Sequence, residues 1–408
     1  MKRILNSLSL LTALVVFSCN PQNKHKGITA SPENMIDTAP GSCPYLTKDS
    51  KNNVVLSWIK QVDTATNIFC YAISEDEGKT FGKAVEVPGS TGVHPHGENM
   101  PKILFKPSGE IIAAWGAANP NPKNPYSGLV YYSQSFDEGK TWTKPASLTT
   151  DTASFDQRYF DMALLPNGEA GITWLDNRKL WQKEGSSLYY AVTDGKSGFQ
   201  NEKMISGPCC QCCRTDLFID RVKNIHVLYR AILNDSIRDM VHIVSTDDGE
   251  TFTQPQRISQ DDWVINGCPH TGPAMAENKT GIHFTWFTGG NGSGIYYNKS
   301  TDHGKTFAGR KPVSGAASKH CQITSLPNDH ILIIWNESFS NANTSASRIG
   351  IEERDADGMT SIKDYITAET SNSSFPVICA TGANKVVIAY TENIKNKDQV
   401  MFKQVVIQ

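Results

Sequence analysis

The sequence predicts an all-β fold of seven four-stranded antiparallel sheets, and three observations predict it. An octet of the form Ser-x-Asp-x-Gly-x-Thr-aromatic recurs four times, at 74–81, 135–142, 245–252 and 300–307. Between the octets, short β-branched runs end in an aromatic residue at Trp58, Trp115, Trp174, Tyr229, Trp286, Trp335 and Tyr390. Each run has one strand-like segment before it and another after it. Such a repeat period marks propellers or solenoids.

Alternation over five or six residues bounded by turn residues reads as a strand, as in Gly109-Glu-Ile-Ile-Ala-Ala-Trp115. The segments that follow the aromatic runs are 68–73, 129–133, 188–192, 241–244, 295–298, 348–352 and 400–405. Those that precede them include 101–105 and 159–165. The octet closes sets one, two, four and five. Its Ser and Asp oxygens and flexible Gly suit a tight turn between strands. Set three keeps a degenerate version at 193–199, and set six an eroded one at 355–360. Set seven runs to the C-terminus with no fourth strand after it. The segment 28–36 is expected to supply that strand and close the ring, which removes exposed strand edges. Seven blades are therefore expected, with six as the alternative.

Lys2 and Arg3 precede an apolar run over 4–17, then Ser18 and Cys19. The run is too short to span a bilayer comfortably and has the layout of a secretion signal. Val16-Phe-Ser-Cys19 resembles a bacterial lipobox, which implies that Cys19 carries lipid. The expected organisation is a signal over 1–18, a polar tether over 19–38 and one propeller domain over 39–408. The expected location is the bacterial cell envelope, with membrane contact through the lipid anchor alone. A formal charge of -2 and the lack of a basic block disfavour nucleic acid. No Gly-rich phosphate loop sits between a strand and a helix, so no nucleotide or flavin is expected.

The octets resemble the Asp-box, or BNR repeat, of sialidase-like β-propellers. The resemblance implies that the boxes lie opposite the active face, so Asp76, Asp137, Asp247 and Asp302 are structural. It also implies that the first strand of each blade, strand A, lines a central channel and starts at the functional mouth. Counting back 14 to 18 residues from each aromatic places Cys43, Met100, Arg158, Cys213 with Arg214, Cys268 with His270, His320 with Cys321, and Phe375 with Pro376 at that level. In the family, three arginines grip a substrate carboxylate, a Tyr–Glu pair supplies the nucleophile and an Asp the acid/base. Here no Arg occurs between Arg3 and Arg158. The N-terminal Arg motif is absent, and the chain departs from a standard sialidase. The residues left for catalysis are Arg158 and Arg214, with Arg348 behind them, because bidentate carboxylate binding needs Arg. Asp156, Asp161 and Asp216 are the candidate acids and Tyr159 a hydroxyl donor, the alternative being ion pairs that fix the loops. Tyr126 and Trp181 are candidates to stack on sugars.

Ten cysteines less Cys19 leave nine, and Cys70 and Cys379 read as small buried apolar residues within strands. The other seven fall on the presumed functional face. An envelope location favours disulfides, such as Cys43 or Cys268 to the 209–213 loop. The competing expectation is a soft-metal site for copper or zinc. Its candidate ligands are Cys43, His94, His96, Cys209, Cys210, Cys212, Cys213, Cys268, His270, His320 and Cys321. The functional expectation is thus an envelope lipoprotein whose channel mouth binds copper or zinc. The alternatives are a hydrolase or lyase acting on an acidic glycan, and a non-catalytic platform for another envelope protein.

Overall fold

A computed structural model describes residues 27–121, 127–150, 156–178, 184–341 and 344–408. The signal, the lipobox at Cys19, most of the tether, Tyr126 and Trp181 lie outside the described residues. The chain forms seven antiparallel sheets, each with its strands in sequence order apart from the last. Strand A is Gly41–Lys48 in blade 1, Lys102–Phe105 in blade 2, Gln157–Leu164 in blade 3 and Asp216–Ile219 in blade 4. It is Ala274–Asn278 in blade 5, Ser318–Ser325 in blade 6 and Ser373–Gly382 in blade 7. Each strand A touches the next around the ring, and blade 7 touches blade 1. The seven strands therefore surround a central channel.

The aromatic that ends each run does the work of joining the blades. Trp58, Trp115, Trp174, Tyr229, Trp286, Trp335 and Tyr390 are all buried. Each belongs to an apolar cluster drawing residues from two adjacent blades, as Trp115 does with Phe69. Alternate residues of a central strand face opposite sides, so each blade feeds two such clusters. In blade 7, Ile28–Ala30 pairs antiparallel with Lys397–Ile407, Ile28 lying opposite Ile407. Asn34–Met35 extends the same edge. The N-terminal segment is thus the outer strand of the last blade.

Four Asp-boxes share one set of hydrogen bonds. In blade 1, Ser74 Oγ donates to Asp76 Oδ1 at 2.8 Å and accepts from Gly78 N at 2.8 Å. Thr80 N and Oγ1 donate to the two Asp76 oxygens at 2.9 and 2.6 Å. The same bonds recur around Asp137, Asp247 and Asp302. Gly78 has φ +81°, and a Cβ there would lie 1.9 Å from Val387, so the turn requires glycine. His303, within the blade 5 box, has Nδ1 2.9 Å from Asp220 in the A–B turn of blade 4. The boxes therefore share a face with the A–B turns, opposite the starts of strands A. Every Asp-box carboxylate is consumed by its own turn.

Candidate functional site

The starts of strands A carry a repeated irregularity. In blades 1, 3, 6 and 7, three steps along strand A oppose two along strand B, between Ser42 and Tyr45, Arg158 and Asp161, Lys319 and Gln322, and Ser374 and Val377. Each bulge holds one residue in the left-handed region: Cys43 (φ 58°), Tyr159 (58°), His320 (54°) and Phe375 (49°). His270, before strand A of blade 5, has φ 48°. Non-glycine residues adopt this conformation at a cost, and bulges re-aim side chains next to functional sites.

The charged groups at the mouth pair among themselves. Glu98 is fully buried and forms an ion pair with Arg214 Nη1. Its Oε2 also accepts from Gly272 N at 2.6 Å, and Arg214 Nη2 donates to Cys321 O at 2.7 Å. Arg158 pairs with Asp156 at 2.5 Å, and Asp156 also accepts from Gly128 N. Arg348 bonds Glu337 at 3.0 Å and Glu369 at 2.9 Å, and stacks 3.4 Å over the Tyr365 ring within blade 6. All three candidate arginines thus already hold carboxylates. Burial pushes the Tyr159 hydroxyl well up, away from nucleophile character.

Below the mouth is a channel cavity of about 180 Å³, lined by Tyr45, Lys102, Asp161, Arg214, Asp216 and Gln322 among others. Asp161 binds Lys102 at 3.0 Å and accepts from Leu217 N at 2.7 Å. Asp216 accepts from Met275 N at 2.7 Å. Each of these two carboxylates therefore ties its blade to the next. Burial, then repulsion from Asp161, pushes Asp216 up to about 8.

A second set of groups, interleaved with the first on the loops before strands A of blades 4 and 5, is built from sulfur. Strand D of blade 3 (Phe199–Cys209) leads straight into the loop 210–215, which turns into strand A of blade 4. Within that loop, Cys210 Sγ lies 3.6 Å from Cys212 Sγ and 3.9 Å from Cys213 Sγ. The three sulfurs form one group with all separations within 4.8 Å. Cys212 Sγ forms a second group, within the same limit, with Cys268 and a ring nitrogen of His270. Cys268 is exposed and Cys212 buried. His270 Nδ1 is buried without a hydrogen-bond partner among the described residues.

A buried cation stands behind these thiols. Arg230 is 1% exposed, and its Nη atoms donate to the carbonyls of Arg238, Thr271 and Phe287 at 2.9, 3.2 and 2.7 Å. Among the described residues no carboxylate forms an ion pair with it. A buried charge calls for a counter-charge. Burial works to raise the Cys213 thiol, but hydrogen bonds from Cys210 and Cys212, the Arg230 charge and the Thr271 N–H hold it well below its ordinary value. Hydrogen bonding to Cys210 and Cys213, and then burial, raises the Cys212 thiol.

Of the eleven sequence-derived ligands, the structure brings together Cys210, Cys212, Cys213, Cys268 and His270. The other six stand apart from these groups. Cys209 packs into the core between blades 3 and 4, and Cys321 into that between blades 5 and 6. Cys43 is buried, and burial raises its thiol to about 11. His320 has both ring nitrogens engaged, Nδ1 at 2.6 Å from Asn336 Oδ1 and Nε2 at 3.1 Å from His270 O. His96 lies beside His270, ring centres 5.4 Å apart, but its Nδ1 accepts from Glu98 N. His94 is exposed. No disulfide joins the described cysteines. Glu98 and Arg230 escaped the sequence reading. The signal for Glu98 was its place in the His94-Pro-His-Gly-Glu-Asn99 loop; Arg230, one residue beyond a strand B aromatic, offered none.

No family model and no curated protein matches the chain. Solved structures do. A protein of unknown function from Dyadobacter fermentans is 15% identical, with TM-score 0.55 over 94% of this chain and 100% of that one. The polysaccharide lyase Uly1 is 11% identical, with TM-score 0.53 over 92% of this chain and 91% of its own. The Hadza microbial sialidase Hz136 is 14% identical, with TM-score 0.50 over 84% of this chain and 74% of its own. In fold, the chain is a sialidase-like seven-bladed β-propeller. At these identities the likeness is one of fold.

Proposed function

We propose that this propeller is a soft-metal-binding protein, taking copper or zinc at its channel mouth through Cys210, Cys212, Cys213, Cys268 and His270. The observation that carries the reading is the three-sulfur group backed by Arg230. Thiols packed at 3.6 and 3.9 Å beside a buried guanidinium are spaced and charged to bind a thiophilic cation. The unpartnered His270 Nδ1 supplies an imidazole at the same place. The protein works as an envelope lipoprotein held through Cys19, the mouth being free to exchange metal with its surroundings.

The glycan-active reading draws support from the fold that the chain shares with a sialidase and a polysaccharide lyase. It is the weaker one, because Arg158, Arg214 and Arg348 are each neutralised by their own carboxylates and leave no free guanidinium for an acidic sugar.

Elemental analysis of the chain, purified without a metal-binding tag, together with a count of reactive thiols, tests the proposal. Copper or zinc bound in stoichiometric amount, with thiols that become reactive when the metal is stripped, is the expected result. A metal-free protein whose thiols react equally before and after added copper or zinc would overturn it.

A further inference from the structure

The five donors do not converge on one point. They fall into two groups of three, Cys210–Cys212–Cys213 and Cys212–Cys268–His270, with Cys212 common to both. A tetrahedral zinc with sulfur ligands at about 2.3 Å needs four donors, each about 3.8 Å from the other three. The described residues offer no such set of four. Donors at 3.6 and 3.9 Å would fit one face of such a tetrahedron, but with no fourth donor among the described residues the geometry they complete is a flat three-coordinate one. An ion at the centre of a triangle with that side lies about 2.2 Å from each sulfur, close to a metal–thiolate bond length. Three-coordinate thiolate sites of this kind select copper(I) among the first-row ions, since soft sulfur ligands favour it.

Resting on the soft-metal reading above, we infer that the mouth binds two copper(I) ions, one in each group, with the Cys212 thiolate bridging them. The first ion takes Cys210, Cys212 and Cys213, all on one loop. The second takes Cys212 from that loop and Cys268 and His270 from the loop before strand A of blade 5. The second ion thus ties blade 4 to blade 5 across the mouth. No oxidation or reduction is involved: copper enters as copper(I), and each ligating thiol releases its proton to solvent. Four thiolates and one imidazole carry four negative charges, and two monovalent ions offset half of them. Arg230 stands behind Cys210 and Cys213, and the Arg158 charge acts on Cys212. The exposed Cys268 gives the second ion the more open position and makes it the exchangeable one.

The test is an anaerobic titration of the reduced full-length chain with copper(I) against a chromophoric copper(I) chelator, with X-ray absorption on the loaded protein. The expected result is two copper(I) ions per chain, sulfur-dominated three-coordination and a copper–copper scattering path. The double variant Cys268→Ser/His270→Ala should bind one ion and lose that path. Cys268 is exposed and His270 only partly buried, both ahead of strand A of blade 5, so circular dichroism should match that of the parent chain. Cys212→Ser, which removes the bridge, should weaken both ions together and by at least tenfold in chelator competition. One copper per chain, unaffected by the double variant, would overturn the two-ion inference and leave the soft-metal reading standing. No copper retained against the chelator would overturn both.

Discussion

The channel mouth carries two interleaved sets of groups, an arginine side and a sulfur side in chemistry rather than in space, and they solve the burial of polar groups in opposite ways. On the arginine side, charges are closed on themselves: Glu98 takes Arg214 and the Gly272 N–H, and Asp156 takes Arg158. On the sulfur side, like groups face like groups, and Arg230, whose charge acts on Cys210 and Cys213, forms no ion pair with a carboxylate among the described residues. Completed ion pairs hold loops in place. On the reading proposed above, function belongs to the sulfur side and structure to the arginine side, although the resemblance to sialidases points first to the arginines.

Breaking the arginine side should cost stability. Glu98→Gln leaves Arg214 buried without its counter-charge, and the loss should be about 3–5 kcal/mol in chemical denaturation. A loss below about 1 kcal/mol would mean that solvent reaches the pair and that this side is not closed. Loading the sulfur side should do the reverse. Copper(I) at about 100 times its dissociation constant should stabilise the fold by about 2.7 kcal/mol, and Cys213→Ser should abolish most of that gain. Because the ligands must lose protons, the gain should shrink as pH falls. Calorimetry with and without copper, from neutral to mildly acidic pH, measures both.

A smaller effect belongs to the opposite face. The Thr306 hydroxyl, with help from the Thr306 N–H and Ser300, pulls Asp302 down to about 2. A carboxylate whose value falls on folding stabilises above its unfolded value and loses that contribution as pH falls through the folded one. The box contribution should therefore disappear between about pH 4 and about pH 2. Asp302→Ala should cost about 1 kcal/mol at neutral pH and leave copper stoichiometry unchanged. A changed stoichiometry would show that the two faces are coupled. The smallest effect is expected of Arg158→Lys. Its partly exposed pair with Asp156 should change stability by less than about 1 kcal/mol, with copper binding retained. Loss of an acidic-glycan activity in that variant would instead return the function to the arginine side.

The fold was legible because its repeats are local. The octet encodes one turn by itself, and the strand B aromatic marks one buried position per blade, so counting suffices. The level of the site was legible for the same reason, since counting back from Trp286 or Tyr229 arrives at Cys268 or Cys213. Which sulfurs would meet was not. Cys209 and Cys210 are neighbours in sequence and share one apolar cluster, yet Cys209 ends a strand while Cys210 opens the loop and meets Cys212 and Cys213. Bulges at the strand starts shift the alternation by one residue, and no local pattern announces them. Glu98 and Arg214 meet because the loops before strands A of blades 2 and 4, one blade apart, both reach over the channel, a relation that no spacing expresses.

The pairing of Ile28–Ala30 with the last strand, Lys397–Ile407, bears on how the molecule comes together in time and under load. The outermost strand of blade 7 joins residues near the two ends of the described chain, and closing so long a loop costs entropy that the stacking of the blades between would reduce. Non-local pairings of this kind slow folding. A force applied to the N-terminal side would act on that same strand first and peel it from the sheet edge before any other blade is strained. Its backbone bonds to Lys397–Ile407 are therefore the latch on which both the assembly and the mechanical endurance of the ring depend.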